Sequence, residues 1–133
     1  MPIKAEIITD LELLIIRAAG KIDDQSVMEF QAQIVYLPNF QPTLNIIIDA
    51  RSVTDNLLSP EGVIKLSGDT PFEKSVKRAY VVADEQASIQ ATLLGSTSSI
   101  HKHFFVTYSI EDACEWLGIS LDKINSSSVY NDN

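Results

Sequence analysis

Cysteine is nearly missing from this chain. Cys114 stands alone among 133 residues, so no intramolecular disulfide can form and no cysteine cage can hold a metal. That usage fits a reducing cytoplasm. Glycine is sparse, five in all and none clustered, which leaves no glycine-rich loop to cradle a phosphate. No apolar run approaches the roughly 18 residues a spanning helix needs, and Met1 to Glu6 lacks the basic start and long apolar core of a signal peptide. Positive charge is also scarce. Lys and Arg number 10 against 18 Asp and Glu, a net charge of −8, and a DNA or RNA partner is disfavoured because nothing offsets its phosphates.

What is present is ordinary globular material, 45% hydrophobic and 21% charged. A chain of this length is expected to be one domain that buries most of its apolar surface without staples. The most telling stretch is Leu44-Asn45-Ile46-Ile47-Ile48-Asp49. Its β-branched apolar run suits a strand buried on both faces. The acid after it places Asp49, Ala50 and Arg51 at the strand's C-terminal end, the edge where α/β folds meet ligands.

Around that strand the pattern alternates. Ile3–Ile8 and Leu11–Ala18 read as a hairpin. Gly20 to Asp24 breaks it, with Asp23 or Asp24 as a helix cap. Val27, Phe30, Ile34 and Leu37 recur at helical spacing until Pro38. Ser59-Pro60-Glu61 starts a short second helix ending near Gly68. Arg78–Ala83 is a strand. A helix opened by Asp84-Glu85 carries Ile89, Leu93 and Leu94 and closes at Gly95. Residues 96–99 are a serine-rich loop, and Phe104–Tyr108 is the last strand. Ser109 caps a final helix carrying Ala113, Trp116 and Leu117, with Gly118 behind it. Residues 122–133 read as a polar tail, frayed from Asn125 onward. Strands alternating with helices imply a mostly parallel sheet with one antiparallel edge strand, in the order β-β-α-β-α-β-α-β-α.

The chemistry-bearing residues are few. His101 and His103 could share a metal, but no His or Cys completes the set, so no metal or cofactor is expected. Cys114 sits in an amphipathic helix and reads as a buried, inert thiol. Lys65, Lys74, Lys77 and Arg78 form the one positive island, either a solvated loop or a greeting for an anion. Asp49, Arg51 and Asp55 make the best polar cluster, at the edge where Asp84, Thr107 and Ser109 are also expected. Arg51 either serves binding there or pairs with an aspartate to fix the turn. No general base faces a nucleophile, so an enzyme is not expected.

Three short words in the right order carry a resemblance: Arg17-Ala18-Ala19-Gly20-Lys21-Ile22, Ile48-Asp49-Ala50-Arg51 and Ala113-Cys114-Glu115-Trp116-Leu117. Over about residues 5–118 the chain resembles the SpoIIAA-like group of the STAS superfamily, whose best-known members are bacterial anti-sigma factor antagonists. The resemblance implies a regulatory binding domain with helices favouring one face of the sheet. In those antagonists a serine in an Asp-Ser-Ser-Gly pattern at the second helix is phosphorylated. Here Asn56 and Leu57 replace the serine pair after Asp55, and Ser59 comes four residues later, so Ser59 is expected to be a plain cap.

These readings give a STAS-like domain over residues 1–121 and a tail over 122–133. The expected polar binding residues are Asp49, Arg51, Asp55, Ser59, Asp84 and Ser109. Both sheet faces are apolar, and they are covered by helices, by a second subunit or by an apolar ligand. For a second subunit the expected interface set is Leu14, Ile16, Ile47, Tyr80 and Val82. The expected function is a cytoplasmic protein-binding module, self-associating as a homodimer or meeting another protein. The alternative is a carrier of a lipid-like or small apolar anionic ligand, as the superfamily's distant relation to Sec14-type lipid-binding domains implies.

Overall fold

The computed structural model describes residues 2–59, 72, 73, 75–96 and 103–131. Five strands form one sheet in the order β1-β2-β3-β4-β5. They are β1 (Ile3–Ile8), β2 (Leu13–Asp23), β3 (Asn45–Leu57), β4 (Arg78–Val81) and β5 (Phe104–Thr107). β1 and β2 are an antiparallel hairpin, and every later neighbour is parallel. The helices are α1 (Asp24–Ile34), α2 (Glu85–Ser96), α3 (Ile110–Leu117) and the single turn α4 (Asp122–Asn125). A 3-10 turn at Ser128–Tyr130 follows α4. The helix expected from Pro60 to Gly68, Lys65, Lys74, the loop at 97–99 and His101 lie outside the described residues.

Local chemistry explains most boundaries. Asp23 caps α1 by accepting the Ser26 N–H at 2.8 Å, and the Ser26 hydroxyl accepts from the Asp23 N–H, a reciprocal box. Ser109 accepts the Asp112 N–H at 3.1 Å and starts α3. Gly118 ends it at φ +72°, a left-handed position that suits glycine, and donates to carbonyls of the last turn. Asp84 accepts the Ala87 N–H at 2.9 Å and caps α2. Gly95 lies within α2, so that helix runs one residue past its expected stop.

Two strands run well past their expected ends, while β4 and β5 stop at Val81 and Thr107, short of Ala83 and Tyr108, and β2 starts at Leu13, after a 3-10 turn at Thr9–Leu11. β2 continues through Gly20 to Asp23, and β3 runs on to Leu57. The register between them slips at Arg17/Ala19 and again at Gly20/Lys21. Gly20 takes φ +71° there, which lets β2 bend through an irregularity without ending. The mostly polar residues 51–57 stay in the strand because β2 supplies ladder partners out to the Asp23–Leu57 pair.

Alternation along β2 and β3 divides the core in two. Leu14, Ile16 and Ile46 face one side, where Val27 and Ile34 of α1 cover them. Leu13, Ile15 and Ile47 face the other with Ala79 and Val81, beneath Ile110, Ala113 and Cys114 of α3. Each crossover steps one strand farther from β1. Right-handed crossovers that all step one way set their helices on one face, and α3 comes after the last strand and closes the opposite one.

Two readings are corrected here. Leu14, Ile16, Ile47 and Val82 are interior, at 0%, 7%, 0% and 3% exposure, so they offer no free surface to a second subunit. Tyr80 is half-buried, its ring 4.8 Å from that of Phe104. The chain's own elements cover β2 and β3 on both sides. The segment read as a frayed tail is also docked. Ile124 and Val129 are 0% and 1% exposed within the second core, because that face of the sheet is apolar and α3 alone does not span it.

Because Ile47 sits at the centre of the second core, Ile47→Ala should lower stability by about 2–5 kcal/mol. Urea unfolding followed by circular dichroism measures this; an unchanged midpoint would contradict its burial.

Candidate functional site

The polar cluster forms within β3, level with the C-terminal ends of β4 and β5. Asp49 lies mid-strand in β3, in register with Arg17 of β2 and Val81 of β4. It is 3% exposed, and a carboxylate so buried must be paired. Four donors satisfy it. Arg51 donates Nε to Oδ1 at 3.0 Å and a terminal nitrogen to Oδ2 at 2.8 Å. The Arg51 backbone N–H reaches Oδ1 at 3.1 Å, and the Tyr130 hydroxyl donates to Oδ2 at 2.7 Å. Arg51 and Asp49 thus form a two-pronged ion pair.

Charge states follow from this geometry. Burial would push the Asp49 carboxyl up, but the hydrogen bonds from Arg51 and Tyr130 outweigh it and hold the group below the usual carboxylate range. Hydrogen bonding to Asp49 raises the Arg51 guanidinium. Burial, then the bond to Asp49, pushes the Tyr130 hydroxyl well up, so it stays a donor.

Arg17 completes the cluster. Its guanidinium lies 5.5 Å from the Tyr130 ring centroid. It donates to the Val129 carbonyl at 3.2 Å and to the Ser52 hydroxyl at 3.4 Å. Strand β1 adds two further fasteners for the same segment. Glu6 accepts the Ser127 hydroxyl at 2.7 Å and the Ser128 N–H at 2.9 Å. The Ser127 bond, above all, holds its carboxyl below the ordinary range. Lys4 donates to the Asn131 carbonyl at 3.1 Å, and Lys123 pairs with Asp10. Residues 122–131 are therefore a strap laid across β1, β2 and β3.

The other expected site residues do not join this cluster. Asp55 is exposed, opposite Lys21 on the β2–β3 ribbon. Asp84 and Ser109 are occupied as caps of α2 and α3. Ser59 gives its N–H and its hydroxyl to the Asp24 carboxylate, at 2.9 and 2.5 Å, tying the end of β3 to the start of α1. Thr107 accepts the Ser109 N–H at 3.4 Å. The positive island is divided: Arg78 is 4% exposed and donates to the carbonyls of Val76 and Glu73, while Lys77 lies over the Trp116 ring. Burial lowers Arg78 and pushes Tyr80 beside it up to about 12. Cys114 is buried, and that burial raises its thiol. Among the described residues no three His, Cys, Asp or Glu gather as a cation site.

Sequence reasoning missed Tyr130, Glu6 and Arg17. Two signals were available. Arg17 interrupts an apolar strand, and Val129-Tyr130 interrupts a polar tail.

Against this geometry the comparisons are specific about fold. An uncharacterized protein from the DUF3478 family with a SpoIIAA-like fold, from Shewanella loihica PV-4, matches at a TM-score of 0.61. The match covers 86% of this chain and 93% of that one, at 17% sequence identity. This chain has a SpoIIAA-like fold. No family model and no curated protein matches it. Among the described residues, no helix is long and apolar enough to cross a membrane.

Tyr130→Phe removes one charge-assisted hydrogen bond from Asp49 and should cost about 1.5–3 kcal/mol at neutral pH. The pH dependence has a definite sign. A carboxyl lowered by folding contributes stability above its unfolded value, and that stability is lost as pH falls through the folded value. The variant relaxes the lowering, so its deficit should be largest near neutrality and shrink in acid. Urea midpoints from pH 7 down through the carboxylate range measure it; a deficit constant with pH would contradict the Asp49 assignment.

Proposed function

We propose that this chain is a non-enzymatic STAS-like binding and regulatory module of the cytoplasm, acting through protein–protein contact. The observation that carries the reading is on α1. Met28, Val35 and Tyr36 are 52%, 41% and 83% exposed, and exposed Ala32 lies between them. Met28 and Ala32 share the side of α1 opposite the Val27, Phe30 and Ile34 stripe that faces the core, and Val35 and Tyr36 continue directly from its C-terminal end. Half of the exposed large apolar side chains among the described residues thus lie on α1 and the two residues that follow it. Exposed apolar side chains scattered singly need no explanation, but a contiguous set marks a contact surface.

The polar cluster supports the same conclusion. Asp49 is saturated by four donors, which leaves it no capacity as a general base. A carrier of a lipid-like ligand needs an enclosed apolar space. The cleft between the start of β1 and α1 sets Ile3 and Phe30 among Asp23, Gln25, Ser26 and Glu29, a mixed lining that suits such a ligand poorly.

A photo-cross-linking residue placed at position 36 should capture a discrete protein in cells, and Met28→Glu should abolish the adduct. The same probe at exposed Tyr108, off this helix, should capture none. Adducts indifferent to Met28→Glu would remove the α1 surface from consideration. A monomer that carries a few hundred daltons in native mass spectrometry and loses them on denaturation would favour the carrier instead.

A further inference from the structure

Among the described residues, the strap is fastened unlike the strands and the helices α1 and α3. A sheet strand is held by a backbone ladder, and α1 and α3 by their own backbone hydrogen bonds and an apolar stripe. Residues 122–131 contain one α-helical turn and one 3-10 turn, with backbone bonds such as Ile124 N–H to Leu121 and Tyr130 N–H to Ser127 that close within three residues. What joins them to the body is side-chain work. Ile124 and Val129 are two apolar plugs. The polar fasteners are Glu6, Lys4, Arg17, Asp49 and the exposed Lys123–Asp10 pair. No strand of the sheet pairs with this segment. Lifting it therefore breaks no sheet ladder and leaves α3 capped by Gly118.

We propose that residues 122–131 are a releasable strap that opens as a unit while the sheet and α3 stay folded, and that its closed state sequesters the Asp49–Arg17 cluster. This goes beyond the α1 contact surface and does not depend on it. The hinge is the stretch after Gly118, whose left-handed backbone already turns the chain away from α3. Opening changes the chemistry of the face. Asp49 loses the Tyr130 hydroxyl and regains acceptor capacity at Oδ2. Arg17 loses the Val129 carbonyl and the ring of Tyr130. Glu6 loses both serines. The floor between these groups is Ile15 and Ile47, which share one core with the plugs and with Ile110 and Ala113 of α3, so lifting the strap strips the plugs' share of their cover. The closed strap thus hides an apolar floor rimmed by two acids and two arginines, counting Arg51. Its release makes that face available, and the side-chain fasteners set how often this occurs.

Hydrogen exchange on the intact chain tests the strap directly. The amides of Ile124, Asn125, Ser127, Ser128, Tyr130 and Asn131 are all hydrogen-bonded when the strap is closed, so their exchange reports opening. They should exchange at least about tenfold faster than the amides of Ile15, Ile16 and Ile47, which require global unfolding. Tyr130→Phe should speed the strap amides at least about tenfold more, and the sheet amides by no more than the same factor because the bond it removes is lost in both openings, so the strap stays the faster segment. Ser128→Ala, a milder change at an exposed position, should act in the same direction and serves if Tyr130→Phe folds poorly. Strap and sheet amides exchanging at one common rate in the wild type would overturn the proposal, because the segment would then be part of the cooperative core. So would strap rates unmoved by either variant, since the named fasteners would not control the opening.

Discussion

A single buried carboxylate organises one face of this protein. Asp49 stands within β3, preceded by three isoleucines and followed by Ala50, and its neighbours across the sheet are Arg17 and Val81. An uncompensated charge at that depth would cost several kcal/mol. The fold meets the cost with donors from three directions: the guanidinium two residues on, the backbone beside it, and a tyrosine eighty-one positions away. The last of these brings the end of the described chain down onto the sheet. Once Tyr130 is committed there, Val129 and Ile124 are carried into the second core, and Arg17, Glu6 and Lys4 find partners in the same segment.

The apolar faces obey a simpler constraint. Side chains alternate along a strand, so a strand that is apolar throughout must be covered twice. The α1 crossover covers one side because parallel connections are right-handed and all step in one direction across this sheet. The other side is roofed by the chain that comes after β5. α3 is eight residues long, too short to roof β1 through β4, and the segment after it completes the cover over β1, β2 and β3. Two differently built lids on one sheet are the result. One is a helix embedded between strands in sequence. The other is a short helix continued by a segment tied down through side chains.

Much of the fold was legible from residue order. The capping aspartate at position 23, the serine at 109 and the glycine at 118 sit where their chemistry demands, and the stripe of Val27, Phe30, Ile34 and Leu37 faces the core as its spacing implies. The site was legible only in part. The pairing of Asp49 with Arg51 is a local, two-residue relation, visible as one reading of Ile48-Asp49-Ala50-Arg51. Asp84 and Ser109 do follow the ends of β4 and β5, strands whose last residues are in register with Asp49, but each is consumed as a helix cap, and Asp55 is carried off because β3 runs eight residues beyond Asp49. Pattern alone stops a strand where polarity begins. A paired ribbon does not stop there, since its partner strand supplies the ladder.

By itself the sequence determined the elements that depend on neighbours within a few positions: strand runs, helix faces, caps, and the α/β order they impose. Those are set by local sterics and by hydrogen bonds within a turn. It also determined that both faces of β2 and β3 must be buried. Only the tertiary structure decided what buries them. Tyr130, Ser127 and Glu6 are ordinary residues in their own segments. They acquire meaning because a hairpin, a parallel strand and a terminal turn converge on one buried carboxylate, and the energy of that convergence resides in contacts more than a hundred positions apart along the chain, such as Ser127 to Glu6 and Arg17 to Val129.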